Sequence, residues 1–100
     1  MIEYVQEKLP QEVLLVQLAE EASELAQSAL KAHRALDGRN PTPVTRYEAQ
    51  NSLEEEVADV LLCLLVLGIA WTEPEYGARM AAKLERWVGR LREMEEGPYG

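Results

Sequence analysis

Proline and glycine punctuate this sequence at a few places and leave three long stretches free to be helical. The breaks fall at Pro10, across Asp37-Gly38-Arg39-Asn40-Pro41-Thr42-Pro43, at Pro74 and at Gly97-Pro98. Proline removes an amide donor and glycine is conformationally loose, so both interrupt helices. Between the breaks apolar residues recur every three or four positions, and no two-residue alternation persists. The pattern predicts an all-α chain of one domain, residues 1–100. The expected architecture is an antiparallel helical bundle of three main helices, with room for a short extra N-terminal helix, completed by oligomerisation.

The first long helix is expected over Gln11 to Leu36, where Leu14, Leu18, Ala22, Leu25 and Ala29 make an apolar stripe. Gly38 is its expected left-handed stop. Met1 to Leu9 forms the short leading helix, bent at Pro10. The second helix is expected to begin at Thr45, since Thr45-Arg46-Tyr47-Glu48 fits a capping box, and to run to Ala70. The third starts near Thr72, where Thr72-Glu73-Pro74-Glu75 repeats that pattern, and ends near Glu95. Met80, Leu84, Trp87 and Leu91 are its apolar face, and Gly97 to Gly100 is read as a loose tail.

From Val57 onward the second helix is apolar nearly all round, and such a helix needs cover on several sides. One long and one shorter helix give too little cover, so a second copy of the chain is expected to pack here, as a homodimer or homotetramer. Charge narrows the other partners. The formal net charge is −8, which disfavours any nucleic-acid polymer, because an acidic surface repels a phosphate backbone. Cys63 is the only cysteine, so no internal disulfide forms, and its leucine neighbours mark it as a small core residue rather than a nucleophile. The run Val57 to Trp71 carries Asp59 and is shorter than the ~20 residues of a membrane span. With no apolar leader at the start, the expectation is a cytoplasmic protein with no membrane partner.

Two acidic clusters carry the chemistry. The first helix has Glu20, Glu21 and Glu24; the second has Glu54, Glu55, Glu56 and Asp59. Residues three apart on a helix are surface neighbours, so Glu21 pairs with Glu24 and Glu56 with Asp59. Glu21 falls at the edge of the Leu14-Leu18-Leu25 stripe, and Asp59 falls within the apolar half of its helix. Antiparallel packing about the connector brings the two pairs face to face. Carboxylates that close raise each other's pKa, and a hard divalent cation such as magnesium resolves the conflict. Glu54 and Glu55 read as a solvated face. A di-iron reading fails, because His33 is the only histidine and Leu30, not a glutamate, stands three residues before it.

At these residues the chain resembles the MazG-like, all-α nucleoside triphosphate pyrophosphohydrolase superfamily. The match lies in Glu20-Glu21-Ala22-Ser23-Glu24 and Glu56-Val57-Ala58-Asp59, flanked by Leu18-Ala19 and by Val60-Leu61-Leu62, within a likeness from about Leu14 to Arg86. The resemblance implies that Glu21, Glu24, Glu56 and Asp59 coordinate magnesium, with manganese as a substitute. It makes Glu20 the catalytic residue, an accessory carboxylate near the metals that helps to position water. The implied reaction takes a nucleoside triphosphate and water to a monophosphate and pyrophosphate, for nucleotide-pool housekeeping. Lys83 and Arg86 are the implied phosphate contacts, and Lys31 reads as a surface cation.

The chain departs from the family pattern in two ways. Thirty-one residues separate Glu24 from Glu56, a longer gap than usual, and Ala81 stands where an asparagine is looked for. Two other readings use the same residues: a non-catalytic helical interaction module with an acidic face, and a phosphoribosyl-ATP pyrophosphohydrolase. Tyr4, Tyr47 and Trp71 are the candidate base-stacking aromatics.

Overall fold

A computed structural model describes residues 1–39 and 42–97. The described residues are helical and contain no strand: α1 spans Ile2–Lys8, α2 Gln11–Asp37, α3 Arg46–Val66 and α4 Pro74–Glu96. The chain divides into two compact units, Met1–Ile69 and Ala70–Gly100. No helix among the described residues is long and apolar enough to cross a membrane.

The first unit is built on a hairpin of α2 and α3. Three contacts along it set its direction. Beside the connector, Arg46 Nη2 donates to the Leu36 carbonyl at 3.4 Å. Midway, Glu21 and Glu24 meet Glu56. At the far end Leu14, Leu62 and Val66 line one groove. Early residues of α2 therefore meet late residues of α3, and the pair is antiparallel.

The inward faces follow a coiled-coil rhythm. Apart from Arg34, the least exposed residues of α2 are Leu14, Leu18, Glu21, Leu25, Ser28, Ala32 and Ala35, alternating steps of four and three. In α3 they are Ala49, Leu53, Glu56, Val60 and Cys63, with Leu64 and Val66 beyond. Such alternation keeps a narrow seam facing a neighbouring helix. The seam corrects the stripe read from sequence. Ala22 and Ala29 are exposed, and Glu21 lies in the seam instead of at its edge. Only Leu14, Ala49 and Val66 are buried among the described residues, while Leu15, Val16, Leu30, Leu62 and Leu65 are exposed.

Local chemistry explains the helix ends. Leu9 is extended, as a residue before proline tends to be, and Pro10 opens α2. Gly38 closes α2 at φ 73°, and its amide donates to the Arg34 carbonyl at 3.0 Å. Thr45 caps α3: its hydroxyl accepts from the Glu48 amide at 3.1 Å. The Glu48 carboxylate accepts from that hydroxyl at 3.2 Å, so the box closes through the side chain.

Two boundaries differ from expectation. α3 ends at Val66, four residues before Ala70, because Gly68 takes φ 77° and turns the chain. The Ile69 amide then donates to the Leu64 carbonyl at 2.9 Å and the Gly68 amide to Leu65 at 3.0 Å, a Schellman stop. At the next helix the cap is Glu73, not Thr72, and no side chain bonds the free amides. Pro74 sits in the first turn, where its missing amide costs nothing.

α1 packs on α3 through a bond the sequence does not announce. Gln6 Nε2 donates to the Val66 carbonyl at 2.8 Å and satisfies one of the open acceptors at the end of α3. In the second unit, α4 carries Met80, Leu84, Trp87 and Leu91 on one stripe, all exposed. Arg79, Lys83, Arg86 and Arg90 follow at similar steps beside it. Of the expected loose tail, Gly97 closes α4 through its amide to the Glu93 carbonyl, and residues 98–100 lie outside the described residues.

Candidate metal centre

The hairpin seam is apolar except near its middle. Leu18 and Leu25 flank Glu21 on α2, and Leu53 and Val60 flank Glu56 on α3. Each glutamate therefore occupies a position that packing would give to leucine. Glu24 stands one turn from Glu21 and is exposed. Glu21, Glu24 and Glu56 each offer one carboxylate oxygen, and these oxygens lie within 4.8 Å of one another.

Among the described residues, no ion pair involves these carboxylates. The ion pairs among the described residues join Met1 to Glu3 and Arg39 to Asp37, away from the seam. Gln17 Nε2 donates to Glu21 Oε1 at 2.8 Å from four residues earlier on α2. Glu21 Oε2 and Glu56 Oε2 are buried without a hydrogen-bond partner. Such orphaned acceptors are costly and call for a donor or an ion.

Electrostatics carries the same message. The charge of Glu21 holds the Glu24 carboxyl above the ordinary glutamate range; hydrogen bonding to Glu21 and the charge of Glu56 add to the effect. Partial burial pushes the Cys63 thiol up as well, helped by the charges of Glu21 and then Asp59. Cys63 is half-buried and protonated at neutral pH, in keeping with an inert packing residue.

The donor set suits a hard divalent ion. It is made only of carboxylate oxygens, drawn from two helices, and two of the oxygens on these glutamates are buried without a partner. Magnesium and calcium prefer such oxygen ligands, and magnesium commonly joins one or two carboxylates to substrate phosphates. The residues present therefore fit a magnesium ion.

Other candidates from the sequence fall in different places. Asp59 is exposed and lies outside the three-oxygen group, one turn along α3 from Glu56 towards Cys63. Glu20 is exposed beside Glu24 on an open surface of α2. Glu54 and Glu55 are exposed, as a solvated face should be; Gln50 Nε2 donates to Glu54 at 3.4 Å. Lys83 and Arg86 lie on α4, exposed, sharing a shallow surface with Trp87 and Arg90. Of the aromatic candidates, Tyr4 and Tyr47 are exposed and Trp71 is half-buried. Gln17 was missed by sequence reasoning, although its place four residues before Glu21 was the available signal.

Comparison with known proteins returns no matching family model, no matching curated protein and no matching solved structure.

Proposed function

We propose that this chain is a magnesium-dependent nucleoside triphosphate pyrophosphohydrolase, releasing a nucleoside monophosphate and pyrophosphate. One observation carries the reading: two glutamates from opposite helices replace apolar residues in the seam, and each holds an orphaned oxygen there. A carboxylate in a packing position weakens the apo protein, so its presence asks for a ligand that repairs the loss. The MazG-like resemblance of Glu20-Glu21-Ala22-Ser23-Glu24 and Glu56-Val57-Ala58-Asp59 supplies the reaction class.

In this reading Glu21, Glu24 and Glu56 hold the ion, and Asp59, outside their group, is proposed as a fourth ligand on the resemblance alone. Bound magnesium, or manganese in its place, would neutralise phosphate charge and lower the pKa of water. Gln17 orients Glu21 by its hydrogen bond, as outer partners of ligating groups do. Glu20, exposed on α2 beside Glu24, is the carboxylate proposed to accept a proton from water. Lys83 and Arg86 are proposed as phosphate contacts on their charge alone.

The same reading includes self-association to a homodimer or homotetramer and a cytoplasmic setting. Support for association comes from the poor burial of apolar side chains: a leucine taken out of water contributes ~1.5–3 kcal/mol, and many here remain exposed. Incubation with a panel of nucleoside triphosphates and magnesium, followed by product separation, tests the reaction. Monophosphate and pyrophosphate are expected; orthophosphate alone, or no turnover, refutes the assignment.

A further inference from the structure

The apolar stripe of α4 in the second unit is exposed along its whole length. Met80, Leu84, Trp87, Leu91 and Met94 range from 49% exposed at Leu91 to 76% at Met94. They follow one another by alternating steps of four and three, which makes a continuous seam on one side of the helix. In heptad terms Leu84 and Leu91 take position a, while Met80, Trp87 and Met94 take position d.

The charges beside this seam choose an orientation for whatever packs on it. Lys83 and Arg90 fall at position g, and Glu95 falls at position e. In a parallel pair of helices, g of one chain meets e of the following heptad on the other, and such pairs set partner and orientation. Arg90 then meets Glu95 of the partner subunit, and two-fold symmetry makes that contact twice. An antiparallel pair sets g against g and gathers Lys83 and Arg90 of both copies together, which repels. Among the described residues, neither Arg90 nor Glu95 belongs to an ion pair within its own chain.

An amphipathic helix edged with cations also suits an anionic lipid surface. Here the balance is wrong for one. Residues 70–100 hold five Lys and Arg against six Asp and Glu, and the whole chain carries −8, so net attraction to such a surface is missing. The same near-neutrality of the α4 region leaves little repulsion between two copies of it.

We propose that α4 is an interface between copies of this chain, pairing in parallel with α4 of a second copy and setting Arg90 of each against Glu95 of the other. The proposal rests on the self-association included in the reading above and names the face that carries it.

Sedimentation equilibrium on the full chain tests this with wild type, Arg90→Glu, and the double exchange Arg90→Glu with Glu95→Arg. Arg90→Glu should weaken association roughly 10-fold, since two exposed opposite-charge contacts become two like-charge ones. The double exchange should return association to the wild-type range. Tighter association in Arg90→Glu marks an antiparallel pair and overturns the proposal. A weakening that the double exchange does not reverse overturns it too, because the two positions then do not meet. Equal association of all three proteins puts the contact on another face, so the proposal fails while self-association stands. A wild-type chain that stays monomeric refutes both, and its co-sedimentation with vesicles of phosphatidylglycerol and phosphatidylcholine would give the face to lipid.

Discussion

The middle of the α2–α3 hairpin and its far end use the same two helices and the same seam rhythm, yet they stand in opposite energetic positions. At the far end Leu14 and Val66 are buried, and Gln6 satisfies the Val66 carbonyl. At the middle Glu21 and Glu56 occupy equivalent positions, one oxygen of each lacks a donor, and Glu24 adds a third carboxylate. One end has its buried residues and its hydrogen bond in place. In the proposed reading, the other is completed by a bound cation.

Substitutions should separate the two regions by sign. Glu21→Gln should reduce magnesium-dependent turnover by more than the ~10–100-fold typical of losing an outer partner of a metal ligand. The same variant, in chelator, should melt at or above the wild-type temperature, because a repelling charge is gone. Turnover assays paired with thermal unfolding check both halves, and retained activity breaks the comparison. Leu14→Ala should do the reverse to the apo protein, lowering stability by ~2–5 kcal/mol through lost burial and a cavity. Denaturant unfolding at fixed protein concentration reads it, and a loss well below ~1 kcal/mol would mean the far end is not the stable one.

Magnesium should act on the middle alone. An ion binding only the folded state adds ~2.7 kcal/mol at a hundred times its dissociation constant. The melting temperature should rise with magnesium in wild type and in Leu14→Ala, and stay put in Glu21→Gln. A rise of equal size in all three would place the ion elsewhere.

The smallest effect concerns pH. The Glu24 carboxyl is raised in the folded state, so the folded chain holds its proton to higher pH than the unfolded chain does. Between the ordinary value and the raised one the folded state binds more protons, and stability falls as pH rises. In chelator, unfolding measured across that window should show the decline, and Glu24→Gln should flatten it. An apo protein that gains stability over the window through this residue would contradict the stated sign.

Much of this was legible in the sequence because local rules decided it. Gly38 and Thr45 end and begin helices through their own backbone and hydroxyl chemistry, which composition reveals. Glu21, Glu24 and Glu56 could be brought together by three-residue spacing and equal reach from the connector. What escaped was set by tertiary packing. The four-three seam, and with it the inward placement of Glu21, depends on how α3 lies against α2. α3 stops at Val66 because Gly68 turns the chain, although the apolar run in the sequence continues past it. The Gln6 bond spans 60 residues of sequence, and no spacing rule reaches so far.

Manganese binding followed by electron paramagnetic resonance tests the central claim, an ion bridging both helices, in wild type and Glu56→Gln. The account predicts bound manganese in wild type and at least ~10-fold weaker binding in Glu56→Gln, although Glu21 and Glu24 on the other helix are untouched. Equal affinity in the two proteins would contradict it.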